Sequence, residues 1–445
     1  GSGLRLYMRH LYQFAVSENE AVIIEGYLAK KKVRMIFVQK ADGQWNVKQD
    51  VDITDILEAP IDGIAMNGNW LAIDSDVRSN AVIVFKKVND QWAFYSKING
   101  NSNQFGNDSL QLNGHLLLIG NFNEDGCGAI FCYDLIANPH LLKQKITPPK
   151  ELYREGGLGT GFGIRILSKD NLLAVCDSGA EFTNEEIKKY NITDQSGTKI
   201  NDKELPVGRP SVLIFEKNKK EEWVFKQDLF YALPHPPNGI LRSEEGSIVC
   251  FGESALSNHS FAIVNNQIIL YDHIYYVFAK NSSGEWAFQY KIPPPFPPFW
   301  RKQRKKNGNI FLHFEHMEMD SVYAGHLDYH GGITLYKMIA DAPWQAVNTF
   351  LFHKTPDDFL LDTEGYGLSF QISGNTAAAL SCWFLDMKNK TDDKPVCTGK
   401  ISIYEISSAG KPCCVFQMEA WDNGLLRPCP ADLKSDAKSD IMNNK

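Results

Sequence analysis

The stretch AVIVFKKVNDQWAFYSKI, residues 81–98, contains the pattern that decides the fold. A run of β-branched and aromatic residues leads into a polar turn, and a tryptophan then opens a second run of the same kind. Two such runs around a short polar turn are typical of a β-hairpin. The pattern recurs at 33–51, 211–229, 274–292 and 332–350, and without the tryptophan at 128–146 and 399–418. The chain therefore contains seven related hairpins.

A second kind of hairpin precedes the first. In residues 63–75, 109–121, 163–178 and 368–381, two short alternating strands flank a tight turn. The turns read Asn-Gly, Lys-Asp or Ser-Gly-Asn, and several of these residue types tolerate positive φ. Two hairpins in series give four strands per unit. The repeat tryptophans indicate a period of about 50 residues with insertions, and they are Trp45, Trp92, Trp223, Trp286 and Trp344.

A four-stranded antiparallel unit repeated seven times predicts an all-β fold, a single seven-bladed β-propeller. One sheet cannot bury both of its faces, whereas sheets stacked around an axis can. We expect small apolar strands, such as residues 71–73 and 377–380, to be innermost and the tryptophan strands outermost, each ring against the adjacent blade. The predicted blades are 12–53, 62–98, 105–146, 161–229, 238–292, 307–351 and 367–419. The alternative is two β-sandwiches in tandem, which would not repeat one unit so evenly.

These units resemble FG-GAP repeats, the blades of integrin-α-type propellers. Phe105-Gly106 and Phe162-Gly163 match the Phe-Gly position of that repeat. Gly120 matches the glycine of its second motif, and Gly128 precedes the third strand. The resemblance covers residues 12–420, although no Gly-Ala-Pro is present and several units lack Phe-Gly. It implies the propeller fold and leaves the function open, because propellers have many unrelated functions.

Several segments lie outside the minimal repeat. Residues 1–11 are a lead-in whose opening Gly-Ser-Gly is typical of a cloning remnant, and residues 421–445 read as a polar tail. Insertions at 177–210 and 386–398 fall between the second and third strands of the fourth and seventh units. The first insertion contains a capping box, Thr183 to Glu186, which predicts one or two helical turns. The fifth unit carries an additional hairpin-like segment at 261–271.

The loop NFNEDG, residues 121–126, resembles a small calcium site. Asn121, Asn123 and Asp125 alternate before Gly126, and in calcium-binding FG-GAP blades the corresponding loop holds the metal. Calcium prefers six to eight oxygen ligands with several carboxylates, and two of these three residues are neutral. The sequence leaves two interpretations, a weak calcium site or a solvated turn.

Two further clusters are candidate sites. His326, Asp328 and His330 would project from one side of an extended segment, an arrangement that suits zinc. The strongly basic run at 301–306 follows Trp300 and could contact an anionic lipid, RNA or an acidic partner. Its interaction residues are Trp300, Arg301, Lys302, Arg304, Lys305 and Lys306. Chance clustering and a solvated loop are the respective alternatives.

Charge and cysteine content narrow the function classes. The net charge of −7 over 445 residues argues against general nucleic-acid binding, and no apolar run is long enough for a transmembrane segment. The nine cysteines are scattered without a CxxC pair, which favours a reducing intracellular compartment over a disulfide scaffold. Five Asn-x-Ser/Thr sequons leave secretion open.

No enzyme motif is present in the chain. A Gly-x-Ser-x-Gly elbow, a P-loop and an HExxH helix are all missing, and the glycine-rich stretch at 156–163 precedes a strand instead of opening a helix. We therefore expect a non-catalytic interaction module, a scaffold or secreted effector, that presents its inserted loops to a protein partner. The contact candidates are 177–210, 386–398 and 313–332. A glycan-binding propeller and a hydrolase with an axial site remain alternatives.

Overall fold

The computed structural model of the chain is all-β. It describes residues 12–27, 32–57, 61–75, 80–102, 105–106, 109–150, 161–177, 182–190, 211–233, 261–264, 266–272, 274–292, 316–319, 323–327, 332–337, 345–351, 369–382, 397–421 and 425–429. Within these residues the chain forms 29 strands in seven antiparallel sheets, six of four strands and one of five. One α-helix, Asn184–Tyr190, is also present there.

The first four sheets follow the order of the chain. The first contains β1 (Tyr12–Val16), β2 (Glu20–Tyr27), β3 (Lys32–Ala41) and β4 (Gln44–Asp52). The second contains β5 (Ile61–Asn67), β6 (Trp70–Ser75), β7 (Ala81–Val88) and β8 (Gln91–Asn99). The third contains β9 (Leu110–Asn113), β10 (Leu116–Asn121), β11 (Ala129–Asp134) and β12 (Asn138–Ile146). The fourth contains β13 (Arg165–Lys169), β14 (Leu172–Asp177), β15 (Ser211–Lys217) and β16 (Trp223–Asp228).

The remaining three sheets continue in the same way. The fifth contains β17 (Phe261–Val264), β18 (Gln267–Asp272), β19 (Ile274–Lys280) and β20 (Trp286–Ile292). The sixth contains β21 (His316–Met319), β22 (Tyr323–Leu327), β23 (Gly332–Lys337) and β24 (Gln345–Leu351). The seventh contains β25 (Ser369–Ser373), β26 (Thr376–Cys382), β27 (Cys397–Ile406), β28 (Pro412–Trp421) and β29 (Arg427–Pro428). In every sheet consecutive strands are neighbours, which confirms the prediction of hairpins in series.

The chain divides into two compact units at residues 61/62 and 294/295. The first unit holds the first, sixth and seventh sheets, and the second unit holds the second to fifth sheets. In the second unit, each successive pair of sheets shares a core cluster of buried side chains. In the first unit, the first and seventh sheets share one.

All seven sheets carry a β-bulge at the same place, between their third and fourth strands. The bulged residues are Lys48, Tyr95, Lys143, Lys226, Gln289, Val347 and Val415. In five sheets the bulged residue follows the repeat tryptophan by three positions. By the same offset, His140 and Pro412 stand in the tryptophan position of the third and seventh sheets. The bulge therefore marks the repeat in all seven sheets, including the two that lack the tryptophan. A bulge also increases the local twist of its strand pair.

Two of the described repeat tryptophans, Trp223 and Trp286, pack against the preceding sheet. Trp223 joins a cluster with Leu118 of the third sheet, and Trp286 joins one with Ile214 of the fourth sheet. The prediction that each ring contacts the adjacent sheet is confirmed for these two, and Trp344 has no described side chain. All four described rings are buried, at 2–6% exposure, namely Trp45, Trp92, Trp223 and Trp286.

Side-chain amides connect the outer strands of neighbouring sheets in the second unit. The Gln227 amide donates to the Trp286 carbonyl and accepts from its N–H, both at 2.8 Å. Gln144 does the same with Trp223, with both distances at 2.9 Å. Each glutamine directly follows a bulged residue, and the bulge thus sets the spacing of these bridges.

Two predictions are wrong: one about which strands are innermost, and one about an additional hairpin in the fifth sheet. The small apolar stretch 71–73 lies in β6, the second strand of its sheet, and 377–380 lies in β26, again a second strand. An interior strand has strand neighbours on both edges, and these two stretches are buried at 0–2% exposure, which favours small apolar residues. The hairpin at 261–271 forms β17 and β18, the ordinary first half of the fifth sheet, and is not an addition.

The two Phe-Gly dipeptides occupy close crossings of the chain. Phe105 stacks edge-on against Phe131 of β11 at 5.5 Å, and Phe162 does the same with Phe215 of β15 at 5.9 Å. Gly106 has φ +91°, and a Cβ there would meet the side chains of Val82 and Asp74. Glycine suits this position because L side chains rarely adopt this φ angle and a Cβ would be crowded by both neighbours.

The segment after β28 belongs to the core of the first unit. Leu426 is 1% exposed within the cluster shared by the first and seventh sheets. Its N–H donates to the buried Glu25 at 2.9 Å, and Arg34 pairs with Glu25 at 3.1 Å while also donating to the Leu426 carbonyl. Burial raises the pKa of Glu25. The predicted polar tail at 421–445 therefore starts too early, because β28 ends only at Trp421 and Leu426 is buried in this core.

Candidate functional site

The inserted segment of the fourth sheet contains the described helix. The helix lies between β14 and β15, as the sequence predicts for the insertion at 177–210. It contacts a 3₁₀ turn, Leu229–Ala232, that directly follows β16. We call residues 182–190 and 229–233 together the helix platform.

An aromatic contact attaches the start of the helix platform to the core. Phe182 is 5% exposed, and its ring meets Phe230 edge-on at 5.3 Å. Both rings belong to the core cluster shared by the fourth and fifth sheets. Burying a phenylalanine side chain contributes about 1.5–3 kcal/mol, so the entry of the insertion is fixed to the sheet.

The predicted capping box is confirmed at the helix N-terminus. The Glu186 N–H donates to Thr183 Oγ1 at 3.1 Å, and the Thr183 N–H donates to Glu186 Oε2 at 2.8 Å. The other oxygen of Glu186, Oε1, accepts from the Tyr231 hydroxyl at 2.5 Å. Glu186 thus caps its own helix and also ties it to the turn after β16.

The end of the insertion is held by a second carboxylate. Asp228 is 4% exposed, and its Oδ1 accepts from the Phe230 N–H at 2.9 Å. Its Oδ2 accepts from the hydroxyl of Ser211, the first residue of β15, also at 2.9 Å. Both ends of the inserted segment are therefore anchored on the same end of the fourth sheet.

Buried ionisable groups lie at the same end of the sheet as the helix platform. Arg165 begins β13, and its guanidinium lies 6.0 Å from the Phe261 ring centroid. Cys176 is its register partner at the end of β14 and is followed by the fully buried Asp177. Burial raises the pKa of the Cys176 thiol to about 12, although Arg165 lowers it somewhat. The thiol is therefore protonated near neutrality and is a poor nucleophile.

The solvent side of the helix platform is charged and aromatic. Glu185, Lys188 and Lys189 are exposed on the helix, and Tyr231 is 51% exposed beside it. The exposed tyrosine suits protein recognition, because tyrosine is enriched in interfaces, and the charged helix residues suit the polar rim of an interface. The sequence located the insertion and the cap. It did not indicate Asp228 or Tyr231, and the role of Tyr231 depends on a contact across 45 residues.

The loop considered for calcium joins β10 and β11. Asn121 is fully buried, and its amide donates to Glu124 Oε2 at 3.0 Å. The Asn123 N–H donates to Asn121 Oδ1 at 3.3 Å. The Lys145 ammonium lies 2.7 Å from both Glu124 Oε1 and Asp125 Oδ2. One lysine thus pairs with both carboxylates of the loop and offsets one of their two negative charges. Calcium binding by Asn121, Asn123 and Asp125 stays a prediction.

The other predicted sites are only partly described. His326 lies in the strand β22, opposite Met317 and Thr334. Asp328, His330 and the basic run with Trp300 lie outside the described residues, as does most of the 386–398 insertion. In the part of the chain that the structure describes, no three His, Cys, Asp or Glu side chains are grouped to hold a metal ion. Over the same residues, no helix is long and apolar enough to cross a membrane.

This chain matches solved structures, but no family model and no curated protein matches it. Among solved structures, a protein from Lactobacillus plantarum matches with a TM-score of 0.47 and 10% identity, over 90% of this chain and 95% of that chain.

Two matched structures are described as β-propeller domains. The Cps50 (Swd1) domain of Myceliophteria thermophila has a TM-score of 0.45 and 8% identity, over 84% of this chain and 93% of its own. The propeller domain of the Trilobed protease from Pyrococcus furiosus has a TM-score of 0.43 and 8% identity, over 91% of this chain and 98% of its own. These proteins share little sequence with this chain.

Proposed function

We propose that this protein is a non-catalytic interaction module that binds a protein partner through its helix platform. The observation that carries the proposal is the double anchoring of the inserted helix, by Phe182 on Phe230 and by Glu186 on Tyr231. A segment held in this way loses little further conformational freedom when a partner binds, so more of the contact energy remains as affinity.

The chemistry of the two acidic groups at the helix platform favours binding over catalysis. Asp228 accepts from Ser211 and Phe230, and Glu186 accepts from Thr183 and Tyr231. General acid–base catalysis needs a carboxyl group within reach of substrate, and these groups already hold structural hydrogen bonds. The protonated Cys176 thiol is equally unsuited to nucleophilic attack.

The scaffold that we propose for this module is a single seven-bladed β-propeller of the FG-GAP type. The common bulge in all seven sheets supports seven equivalent blades. The shared core of the first and seventh sheets supports a ring closed between the two ends of the repeat. The crowded Phe-Gly crossings at Gly106 and Gly163 support the FG-GAP assignment.

The test is affinity capture from cell lysate with a variant of the helix platform, read by mass spectrometry. Lys188→Gln with Lys189→Gln removes two exposed charges from the helix. Lys219→Gln with Lys220→Gln is the matched control, because these exposed lysines lie in the turn between β15 and β16, at the opposite end of the same sheet. Circular dichroism and thermal melts establish that both variants fold.

We expect a specific partner that binds the wild type and the control, and whose recovery falls about tenfold with the platform variant, the effect of losing about 1.4 kcal/mol. Equal recovery with both variants would exclude the helix platform as the contact. Turnover of a substrate by the purified chain would contradict a purely non-catalytic role.

A further inference from the structure

The turn between β19 and β20 contains an Asn-x-Ser sequon, Asn281 to Ser283. Of the five sequons in the chain, this is the one whose acceptor asparagine lies within the described residues. All five residues of the turn, 281–285, are exposed. A sequon of this kind is the acceptor motif for N-linked glycans in secreted proteins, and it has to lie on the surface.

The same five-residue turn joins the third and fourth strands of the fourth, fifth and seventh sheets. In each turn the first N–H donates to the fifth carbonyl and the fourth N–H donates to the first carbonyl, at 2.8–3.0 Å. The fourth residue has a positive φ in each case, namely Glu221, Gly284 and Gly410. The turns at 218–222, 281–285 and 407–411 therefore share one backbone and differ in their side chains.

An asparagine at the first position is explained by the turn itself. Asn218 Oδ1 accepts from the backbone N–H groups two and four positions later, at 2.8 and 3.1 Å. Asn281 Oδ1 accepts from the two corresponding N–H groups, both at 3.0 Å. Asparagine is common in turns because its side chain makes such bonds to the backbone.

The hydroxyl group two positions after Asn281 is not required by the turn. The corresponding residues in the fourth and seventh sheets are Lys220 and Ala409, which have no hydroxyl group. Ser283 Oγ donates to Asn281 Oδ1 at 2.7 Å and also lies 3.3 Å from Glu285 Oε2. The serine that completes the sequon is therefore a feature that the shared backbone does not explain.

The two asparagines also differ at the amide nitrogen, the atom to which a glycan would be joined. Asn218 is half-buried, and its Nδ2 donates to Glu222 Oε2 at 2.9 Å. Asn281 is exposed, and its Nδ2 donates to no acceptor among the described residues. The corresponding glutamate, Glu285, has Oε2 near the Ser283 hydroxyl instead. The amide nitrogen of Asn281 is thus the more accessible of the two.

We propose that Asn281 is an acceptor for N-linked glycosylation. Its Nδ2 attacks the anomeric carbon of a lipid-linked oligosaccharide diphosphate. A C–N bond forms, the C–O bond to the diphosphate breaks, Nδ2 loses one proton and the lipid diphosphate departs. The secretory pathway supplies this co-reactant, so the chain would pass through that pathway, as the sequons allow.

A glycan at Asn281 would leave the helix platform uncovered. Lys280 directly precedes the turn, and its ammonium lies 2.6 Å from Glu216 Oε1 of the fourth sheet. Glu216 lies two residues before the 218–222 turn, so both turns lie at the end of the sheets opposite the helix platform. Glycans are bulky and occupy surfaces, and this exposed turn has room for one without blocking the proposed protein contact.

The experiment is expression of the full chain behind a secretory signal peptide in cultured mammalian cells. Mass spectrometry then reads the peptide containing residue 281 before and after treatment with peptide N-glycosidase, in both the secreted and the microsomal chain. Ser283→Ala and Ser283→Thr keep Asn281 and its backbone hydrogen bonds and change only the residue that carries the hydroxyl. Lys220→Ala changes the corresponding position of the fourth-sheet turn and is the matched control. Thermal melts verify folding.

We expect a glycan on Asn281 in the wild type, Ser283→Thr and Lys220→Ala, and complete loss of it in Ser283→Ala. The glycosidase should remove the glycan and leave an aspartate in place of the asparagine. An unmodified Asn281 in the wild type, or a glycan that persists there in Ser283→Ala, would overturn the proposal. Lys188→Gln with Lys189→Gln should be glycosylated as the wild type is, so failure at Asn281 and failure of the helix platform are distinguishable.

Discussion

At the scale of single residues, the structural roles of Lys145 and Gly128 depend on contacts with residues that are distant in sequence. Lys145 on β12 forms ion pairs with Glu124 and Asp125, which lie 21 and 20 positions away. Gly128 has φ +92°, and a Cβ there would lie 2.1 Å from the Phe162 carbonyl oxygen. The sequence indicates acidic and glycine-rich loops at these positions, but spacing along the chain does not reveal which cation or which carbonyl faces them.

Replacing Lys145 with Met should destabilise the protein by about 1–3 kcal/mol at neutral pH, because Glu124 and Asp125 lose a charged partner. Hydrogen bonds to Asp125 and then Glu124 raise the pKa of Lys145 above its ordinary 10.5. A raised lysine pKa means that this stabilisation is complete below pH 10.5 and is lost as the pH rises through the folded value. Urea unfolding of both proteins should give a difference that shrinks above pH 10.5, and a difference independent of pH would contradict this explanation.

Replacing Gly128 with Ala should cost more than about 3 kcal/mol, since the new methyl group clashes with backbone and the φ angle disfavours alanine. Gly284 is the matched control, with φ +82° and no atom within 4 Å of the position that a Cβ would take. Its replacement with Ala should cost about 1 kcal/mol through the φ angle alone. Equal losses in chemical denaturation would show that the crossing at Phe162 does not limit the space.

At the scale of elements, the sequence predicts the outer strands but not their bulges or the side-chain bridges between neighbouring sheets. The alternation of residues 81–98 predicts β7 and β8, and the tryptophan positions follow directly. The bulge does not follow from the pattern, because its extra residue moves the later side chains to the other face and both faces are buried, as Trp92 before it and Ile98 after it show. The glutamine bridges depend on that bulge, so the sequence does not predict them either. The sequence also places the small apolar strands first in their sheets, whereas they are the second strands.

Replacing Gln227 with Ala should destabilise the protein by about 1–3 kcal/mol, because the N–H and carbonyl of Trp286 both lose their partner. Gln289 on β20 is the control, since it is exposed and its amide donates to the Ala287 carbonyl of its own strand at 3.1 Å. Its replacement should change the free energy of unfolding by less than about 0.5 kcal/mol. Urea titration distinguishes the two, and equal effects would mean that the bridge between the sheets adds no stability.

At the scale of the whole molecule, the repeat predicts an all-β chain of seven sheets, and the first unit adds a contact that no repeat could indicate. Leu426 lies beyond the last repeat yet joins the core between the first and seventh sheets. Its short flanking segment is polar in sequence, and its burial depends on this apolar core together with its backbone contacts to Glu25 and Arg34.

Replacing Leu426 with Ala should destabilise the protein by about 2–5 kcal/mol through the cavity left in this core. Leu425 is the adjacent control, with 41% exposure, and its replacement with Ala should have little effect. Thermal or urea unfolding compares them. Similar stabilities would mean that the segment after β28 does not hold the first sheet.

The most direct measurement of the central claim is hydrogen–deuterium exchange of the chain with and without its captured protein partner. We expect slower exchange in the complex for Asn184–Tyr190 and for the turn Leu229–Ala232, with the turn at 218–222 on the opposite end unchanged. Protection confined to other segments, with the helix platform exchanging at the same rate in both states, would contradict the proposed function.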